Sequence, residues 1–77
     1  MRIVYFQEND TGDYLSVDAR EWPADAEARI DARATAIEKS ISSVQGCVVT
    51  AKYLAYECRL VEESDVPEAW RAALAWE

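Results

Sequence analysis

The stretch formed by residues 21–31, EWPADAEARID, gathers carboxylates around a single tryptophan. Its acids, Glu21, Asp25, Glu27 and Asp31, are side chains that can bind basic groups of a partner, hold a metal ion or solvate a surface. Paired carboxylates also perform acid–base catalysis. Fifteen acids among 77 residues make chance pairs unavoidable, however, so their proximity in sequence does not by itself predict an enzyme.

Most catalytic and metal-binding chemistry is disfavoured by the rest of the sequence. There is no histidine, which is the commonest general base and metal ligand. The two glycines are isolated, so they do not form a phosphate-binding loop. The turn ENDTGD at residues 8–13 lacks the twelve-residue calcium-loop pattern, and two cysteines cannot complete a tetrahedral zinc site. We therefore expect no enzyme activity, no metal and no cofactor.

The charge balance indicates which partners the protein could bind. The net charge is −7, from fifteen acids and eight bases. Nucleic acids and anionic membranes are recognised by lysine and arginine, so neither is expected as a direct ligand. This charge favours a basic protein surface as partner, and the alternative is that the acids bind no partner and only keep the surface solvated.

The two cysteines and the first residues bear on the compartment. Cys47 and Cys58 are eleven positions apart, which corresponds to about 16 Å in a helix or about 36 Å in a strand. A disulfide requires Cα atoms within about 7 Å, so we expect none within a regular element. Residues 1–8 are too short an apolar run for a signal peptide or membrane helix. These features predict a cytoplasmic protein.

The N-terminal residues are expected to form a β-hairpin. Residues 2–8, RIVYFQE, are rich in β-branched and aromatic side chains, which favours a strand. Residues 9–12, NDTG, are typical of a turn, and residues 13–19 alternate between polar and apolar side chains. An isolated hairpin is only marginally stable in water, so one face must pack on another element.

A long helix is predicted to follow, from Pro23 to about Val44. Proline is favoured at the start of a helix, and Gly46 would end it. Apolar residues recur at the helical spacings of 4, 4, 3, 4 and 3, which predicts one buried stripe. The stripe consists of Ala26, Ile30, Ala34, Ile37, Ile41 and Val44.

The remaining residues favour two shorter elements. Residues 49–63 favour a second helix, because a strand of that length would be unusual. The alternative is a third strand, which the β-branched Val48, Val49 and Thr50 and the aromatic Tyr53 and Tyr56 would suit. Asp65 and Glu68 resemble a capping box for a short helix over residues 66–76. The predicted fold is α+β, a single domain of residues 1–77, with the hairpin packed on the long helix.

On that helix the acids would divide into two groups. Asp25 and Glu27 would complement the dipole of the first turn. Glu27, Asp31 and Glu38 would form one flank, with about one charge per 5.5 Å of helix. Duplex DNA carries about one charge per 1.7 Å, so imitation of its backbone would require further acids. Two sets of acids could supply them: Glu8, Asp10, Asp13 and Asp18 from the hairpin, or Glu57, Glu62, Glu63 and Asp65 from the later part of the chain.

Two other surfaces could bind a partner. Ala24, Ala28, Ala32 and Ala36 recur every four residues, and such a row would allow close approach of a second helix. Trp22 would pack at the start of the helix. Trp76 projects away from the inner side of the last helix, as an interface anchor would, although packing against the hairpin explains it equally well.

In size, acidity and lack of catalytic residues, the chain resembles the small inhibitors that bacteriophages encode, such as anti-CRISPR and anti-restriction proteins. The resemblance implies a non-enzymatic protein, in the cytoplasm of a bacterial host, that occupies the nucleic-acid-binding site of a basic target protein. The expected partner-binding residues are Glu21, Asp25, Glu27, Asp31, Glu38, Asp10, Asp13 and Trp76. The alternative is a small structural protein that self-associates as a homodimer through the alanine row or the tryptophans. An antitoxin-like module is less favoured, because no basic DNA-reading region is present.

Overall fold

Five strands and two short helices are formed in a computed structural model that describes residues 2–22, 25–35 and 44–76. The strands are β1 (Ile3–Glu8), β2 (Tyr14–Asp18), β3 (Arg29–Thr35), β4 (Val44–Thr50) and β5 (Cys58–Val61). The helices are α1 (Ala51–Tyr56) and α2 (Glu68–Ala73), and 3₁₀ turns cover Ala19–Glu21 and Glu63–Asp65.

All five strands belong to one antiparallel sheet, in the order β4-β3-β2-β1-β5. The first four strands therefore pair with their neighbours in sequence, whereas β5 returns to the free side of β1. Between β4 and β5 the chain passes from one edge of the sheet to the other through α1. The two edges are thus formed by strands that are adjacent in sequence.

The predicted N-terminal hairpin is confirmed. β1 pairs antiparallel with β2, with Phe6 opposite Leu15 and Val4 opposite Val17. Gly12 in the connecting turn has a φ of 79°, a left-handed conformation that glycine adopts without steric cost. The turn residues therefore set the register in which the apolar side chains of both strands share one face.

One face of the sheet, which we call the α1 face, holds the larger core. Phe6, Leu15, Val17 and Ile30 pack there around Leu54 of α1, which is 1% exposed. Thr50 is the N-cap of helix α1, and its hydroxyl accepts a hydrogen bond of 3.0 Å from the backbone N–H of Tyr53. This capping stabilises a helix of only six residues, which packing must support further.

The opposite face, which we call the α2 face, is covered by the C-terminal segment. Val66 and Leu74 flank α2 and are almost fully buried against Tyr5 of β1. A short C-terminal helix is present, but it covers Glu68–Ala73 and is shorter than the predicted range of residues 66–76. Of the four residues whose spacing predicts an inner side, Val66, Trp70 and Leu74 pack against the sheet, whereas Ala73 is exposed. The capping box is wrong, because Pro67 is at the N-cap and no side chain caps the helix.

The predicted long helix over residues 23–44, and with it the hairpin-on-helix fold, is wrong. β3 occupies the middle of that range, and its exposed and buried side chains alternate at the start of the strand: Arg29 and Asp31 are exposed, whereas Ile30 and Ala32 are buried. Alanine is the best helix former, but intrinsic propensity is a small effect, and here pairing with β2 on one side and β4 on the other outweighs it. The small side chain of Ala32 fits the core beneath α1.

The predicted alanine row and the predicted packing of Trp22 both depended on that helix and are wrong for the same reason. Ala28 lies in the turn before β3 and Ala32 is buried in the strand, so these two alanines do not share a helical surface. Ala24 and Ala36, the other two alanines of the predicted row, lie outside the described residues. Trp22 does not pack at the start of a long helix but stacks on Phe6, with ring centroids 6.0 Å apart. Glu38, a predicted site residue, lies outside the described residues.

The ambiguous region over residues 48–61 contains both kinds of element. β4 extends to Thr50, α1 covers Ala51–Tyr56 and β5 begins at Cys58. The predicted helix over residues 49–63 is therefore too long at both ends. The alternative of a strand is right for the β-branched residues 48–50, which pair with β3, and wrong for Tyr53 and Tyr56, which lie in α1.

Candidate functional site

Three carboxylates meet where the hairpin turn contacts the end of α1. Glu8 ends β1, Asp10 lies in the turn and Glu57 follows α1, and their ligand oxygens all lie within 4.8 Å of one another. The turn is held there because the backbone N–H of Asn9 donates a 2.9 Å hydrogen bond to the carbonyl of Glu57. We call Glu8, Asp10 and Glu57 the acidic cluster.

Glu8 fixes the shape of the acidic cluster. Although only 8% exposed, its carboxylate accepts hydrogen bonds from the backbone N–H groups of Thr11, at 2.6 Å, and Asp10, at 3.0 Å. These hydrogen bonds, chiefly those from Thr11, lower the pKa of Glu8. The side chain is therefore ionised at neutral pH and orders the turn that carries Asp10.

The other two members of the acidic cluster are exposed. Between described residues there are two ion pairs, Arg20–Asp18 and Lys52–Glu27, so neither Asp10 nor Glu57 is neutralised by a described residue. Adjacent carboxylates repel one another in this arrangement, and a cation would relieve the repulsion. A lysine or arginine side chain of a partner, or a metal ion, could be held there.

An apolar groove adjoins the acidic cluster on the α1 face. Leu15, Ala34 and Tyr53 line both its acidic end, which includes Asp10 and Asp13, and its far end beside β4. The two ends have volumes of about 280 and 400 Å³. Carboxylates beside an apolar floor suit a basic side chain, whose aliphatic stem can lie on the floor while its charged end reaches the acids.

The groups beneath this groove are unsuited to nucleophilic chemistry. Burial raises the pKa of Cys58 to about 11, and the pKa of Tyr53, which hydrogen-bonds to it, is also raised by burial. Burial raises the pKa of Cys47 as well. Because the thiolate is the reactive form of cysteine, both thiols are poor nucleophiles at neutral pH. Both cysteines are free, and they lie on strands at opposite edges of the sheet.

The acids predicted on the long helix are located on a turn and a strand. Asp25 begins the turn before β3, where its carboxylate accepts a 2.9 Å hydrogen bond from the backbone N–H of Glu27. Glu27 pairs with Lys52 at 3.6 Å between exposed side chains, and Asp31 is exposed on β3. Glu21 is the last residue of the first 3₁₀ turn.

The two groups of predicted acids are therefore at opposite ends of the sheet. The turn with Asp25 and Glu27 precedes β3 at the end of β2 that carries Asp18, whereas Asp10 and Asp13 precede β2 at its other end. The five residues of β2 separate them by about 17 Å. Asp10 is joined instead by Glu8 and Glu57, neither of which was among the predicted site residues.

The side chain of Trp76 packs on the α2 face of the sheet. Its indole N–H donates a 2.9 Å hydrogen bond to the Ser16 hydroxyl, and the guanidinium of Arg33 lies 4.9 Å from its ring centroid. The contact with Ser16 corresponds to the alternative of packing against the hairpin. Trp76 and Asp31 line a common shallow cleft beside β4, so two predicted site residues do come together there.

Comparison with known proteins gives no relative from which a function could be transferred: no protein-family model, no curated protein and no solved structure matches this chain. Among the described residues, no helix is long and apolar enough to cross a membrane.

Proposed function

We propose that the protein is a non-enzymatic, anti-CRISPR-like inhibitor that binds a basic, nucleic-acid-binding protein and occupies its nucleic-acid site. The acidic cluster is the centre of the binding surface. Asp10 and Glu57 receive a lysine or arginine side chain of the target, and the groove lined by Ala34 and Tyr53 accommodates its aliphatic stem. The bacterial cytoplasm is the proposed setting.

The observation that carries this function is the gathering of carboxylates from distant parts of the sequence. Glu8 and Glu57 are 49 positions apart in sequence, and their ligand oxygens lie within 4.8 Å of each other and of Asp10. Repulsion between carboxylates so close together destabilises the isolated protein, and the positive charge of a basic partner would offset that repulsion. The net charge of −7 further speeds association with a basic surface.

The choice of a binding protein over an enzyme follows from the available side chains. The chain has no histidine, and burial raises the pKa of both cysteine thiols. The acidic cluster opens onto an apolar groove, which suits the anchoring of a side chain.

The test is a capture experiment followed by competition. The tagged protein is incubated with a bacterial lysate, washed at low and then at high salt, and the eluate is identified by mass spectrometry. The captured target is purified and loaded with labelled nucleic acid, and displacement is followed by fluorescence anisotropy. We expect displacement at low salt that weakens as salt rises, because exposed charges are screened.

Two charge-reversed variants locate the surface. Asp10→Lys combined with Glu57→Lys should weaken binding at least ten-fold. Glu27→Lys combined with Asp31→Lys makes the same change in net charge at the other end of β2 and should change affinity by less than about three-fold, through long-range electrostatics alone. Capture of a target by the first variant with unchanged affinity contradicts the proposed site. Recovery of the bait alone from lysate, at either salt, contradicts the function.

A further inference from the structure

Strand β4 forms an edge of the sheet and carries no charged side chain. It pairs with β3 on one side, and no described strand pairs with its other side. Residues 40–51, which include the whole strand, are the longest stretch without a charge in a chain in which 30% of the residues are charged. Exposed edge strands usually carry charges, a proline or a bulge that blocks the addition of another strand. β4 has none of these, and it pairs with β3 without a break in register.

The alternation of hydrogen bonds shows which backbone groups of β4 point outward. The N–H of Glu8 donates to the carbonyl of Asp13, so the odd-numbered residues of β2 bond to β1 and the even-numbered residues bond to β3. The register carries this alternation across the sheet, so the even-numbered residues of β3 bond to the odd-numbered residues of β4. The N–H and C=O groups of Gly46 and Val48 therefore point away from β3 and are available to an added strand.

An apolar projection and a gap lie on the α2 face of β4, on either side of Cys47. Cys47 packs in the core of the α1 face, so its neighbours Gly46 and Val48 lie on the α2 face. Val48 is 52% exposed. A Cβ at Gly46 would have no atom within 4 Å. The shallow cleft beside β4 has a volume of about 320 Å³, and its lining includes Gly46, Val48 itself and Trp76.

We propose that two copies of the chain form a dimer by antiparallel pairing of their β4 strands about a two-fold axis at Cys47. Val44 of one copy then lies opposite Thr50 of the other, so the whole of β4 is paired. Gly46 lies opposite Val48 of the second copy, and their outward N–H and C=O groups bond to each other. The two sheets join into one continuous sheet, in which the same surface serves both copies.

The backbone and the side chains select the same register. Outward groups of the two strands meet only where even-numbered residues lie opposite even-numbered residues. Among the registers that satisfy this condition, only the axis at Cys47 pairs the full length of Val44–Thr50. The same axis places each Val48 side chain beside the gap at Gly46 of the other copy, since residues directly opposite in an antiparallel pair share a face.

The charges near this axis favour a second copy over a charged segment of another protein. β4 offers no counter-charge to such a segment. On β3, Asp31 lies beside Val48 and Arg33 lies beside Gly46. The two-fold axis places Asp31 of one copy in the same row as Arg33 of the other, about 14 Å apart across three strand spacings. Opposite charges rather than like charges therefore face each other across the axis.

Sedimentation of the purified protein from micromolar to millimolar concentration tests the dimer. Physiological salt is used, because it screens the net charge of the two copies. One strand pair covers less than the about 800 Å² per copy of a standard interface, so we expect a monomer at low micromolar concentration and a dimer toward millimolar concentration. A monomer at every concentration would overturn the inference.

A lysine at each edge of the sheet locates the interface. Val48→Lys removes the apolar projection and should weaken dimerisation at least ten-fold. Leu60→Lys makes the same change of net charge at an exposed position of β5, the other edge, and should dimerise as wild type does. Circular dichroism confirms that both variants are folded. Dimerisation of Val48→Lys equal to that of Leu60→Lys would rule out pairing through β4.

Cys47 provides a second measurement on the wild-type chain. In the proposed register the two Cys47 residues are a non-hydrogen-bonded pair with Cα atoms about 4.5 Å apart, within the range of a disulfide. We expect oxidation by diamide, which takes up the two hydrogen atoms that the thiols lose, to link the dimer covalently. Mildly alkaline pH is required, because burial raises the pKa of the Cys47 thiol. A dimer that does not become linked, or one that is linked in Cys47→Ser, has a different interface.

The dimer does not rest on the proposed function, and the two can fail separately. A dimer joined at β4 that displaces no nucleic acid from any captured target retains this inference and removes the inhibitor function. A monomer that displaces nucleic acid has the opposite meaning.

Discussion

The indole N–H of Trp76 donates a hydrogen bond of 2.9 Å to the hydroxyl oxygen of Ser16, sixty positions earlier in the chain. That hydroxyl in turn donates to the carbonyl of Leu74 at 2.8 Å. Ser16 and Leu74 are fully buried, and Arg33 donates to the carbonyl of Ala75 at 3.2 Å. The C-terminal segment is thereby tied to the middle of the sheet.

Removing the Ser16 hydroxyl should destabilise the protein, because this one group forms two hydrogen bonds to the C-terminal segment. Ser16→Ala leaves the Leu74 carbonyl without that donor and the Trp76 indole without that acceptor, at an expected cost of about 2 kcal/mol. Trp76→Phe removes one of the two bonds and should cost about 1 kcal/mol from that bond. Urea unfolding of both single variants and the double variant, followed by circular dichroism, measures these values. Both substitutions remove the hydrogen bond between Trp76 and Ser16, so we expect the losses of stability in the two single variants to sum to more than the loss in the double variant. Strictly additive losses would show that this hydrogen bond contributes nothing.

Two leucines that look equivalent in the sequence should respond very differently to truncation. Leu54→Ala leaves a cavity in the core of the α1 face and should cost about 2–5 kcal/mol, a large part of the stability of so small a domain. Leu60→Ala changes an exposed side chain and should stay within about 0.5 kcal/mol of wild type. The denaturant midpoints of the two variants give the comparison. Equal losses would contradict the assignment of β5 to an open edge.

Stability should fall at acidic pH through Asp18. Its hydrogen bonds, chiefly with the Arg20 side chain, lower its pKa from 3.8 to about 2. A carboxylate with a lowered pKa in the folded state contributes stability that is complete above its usual pKa and is lost as pH falls through the folded value. The contribution of Asp18 should therefore be present at neutral pH and disappear between about pH 4 and pH 2.

Comparison with Asp18→Asn isolates that contribution. Urea midpoints should show the variant to be less stable than wild type at pH 6, with the two converging near pH 2. Asp31→Asn, which removes an exposed carboxylate on β3, is the matched control and should differ little from wild type at either pH. A gap between wild type and Asp18→Asn that stays constant down to pH 2 would rule out the Asp18 carboxylate as its source.

Neutralising the acidic cluster should stabilise the isolated protein. Glu57→Gln removes one of three neighbouring carboxylates and should raise the free energy of unfolding by about 0.3–0.5 kcal/mol at low salt. High salt screens exposed charges and should abolish the gain. Thermal melts of the wild type and Glu57→Gln at low and at high salt measure this difference in stability. Glu68→Gln is the control of opposite sign, because Glu68 lies in the first turn of α2, where a negative charge is favourable.

The locally encoded elements were predictable from the sequence, whereas the centre of the chain was not. The hairpin follows from alternating side chains on both sides of a turn that contains Gly12, and the last helix from Val66, Trp70 and Leu74. Residues 29–35 have helix-forming alanines at positions that also alternate, so both periods fit. Only the presence of β2 and β4 on either side decides for a strand.

The candidate site was predictable to a similar extent. The sequence names Asp10 and Asp13 as hairpin acids that would supplement the acidic flank of the long helix, and β3 occupies the place of that helix. Glu57 joins Asp10 only because β5 pairs with β1 in one register, and no spacing within the sequence encodes that pairing. Acids grouped along the sequence, such as Asp25 and Asp31, are by contrast separated in the structure between a turn and a strand.

The position of β1 between β2 and β5 has a kinetic consequence. β2 can pair with β1 as soon as the local hairpin closes, but Val61, the partner of Tyr5, comes from a distant part of the chain. Closing so long a loop costs chain entropy before the stabilising contacts between β1 and β5 can form. Folding should therefore take milliseconds to seconds, as in other proteins built from non-local strand pairs. Until β5 docks, the bare side of β1 can pair with the same segment of another molecule. The yield of refolding should therefore fall as protein concentration rises.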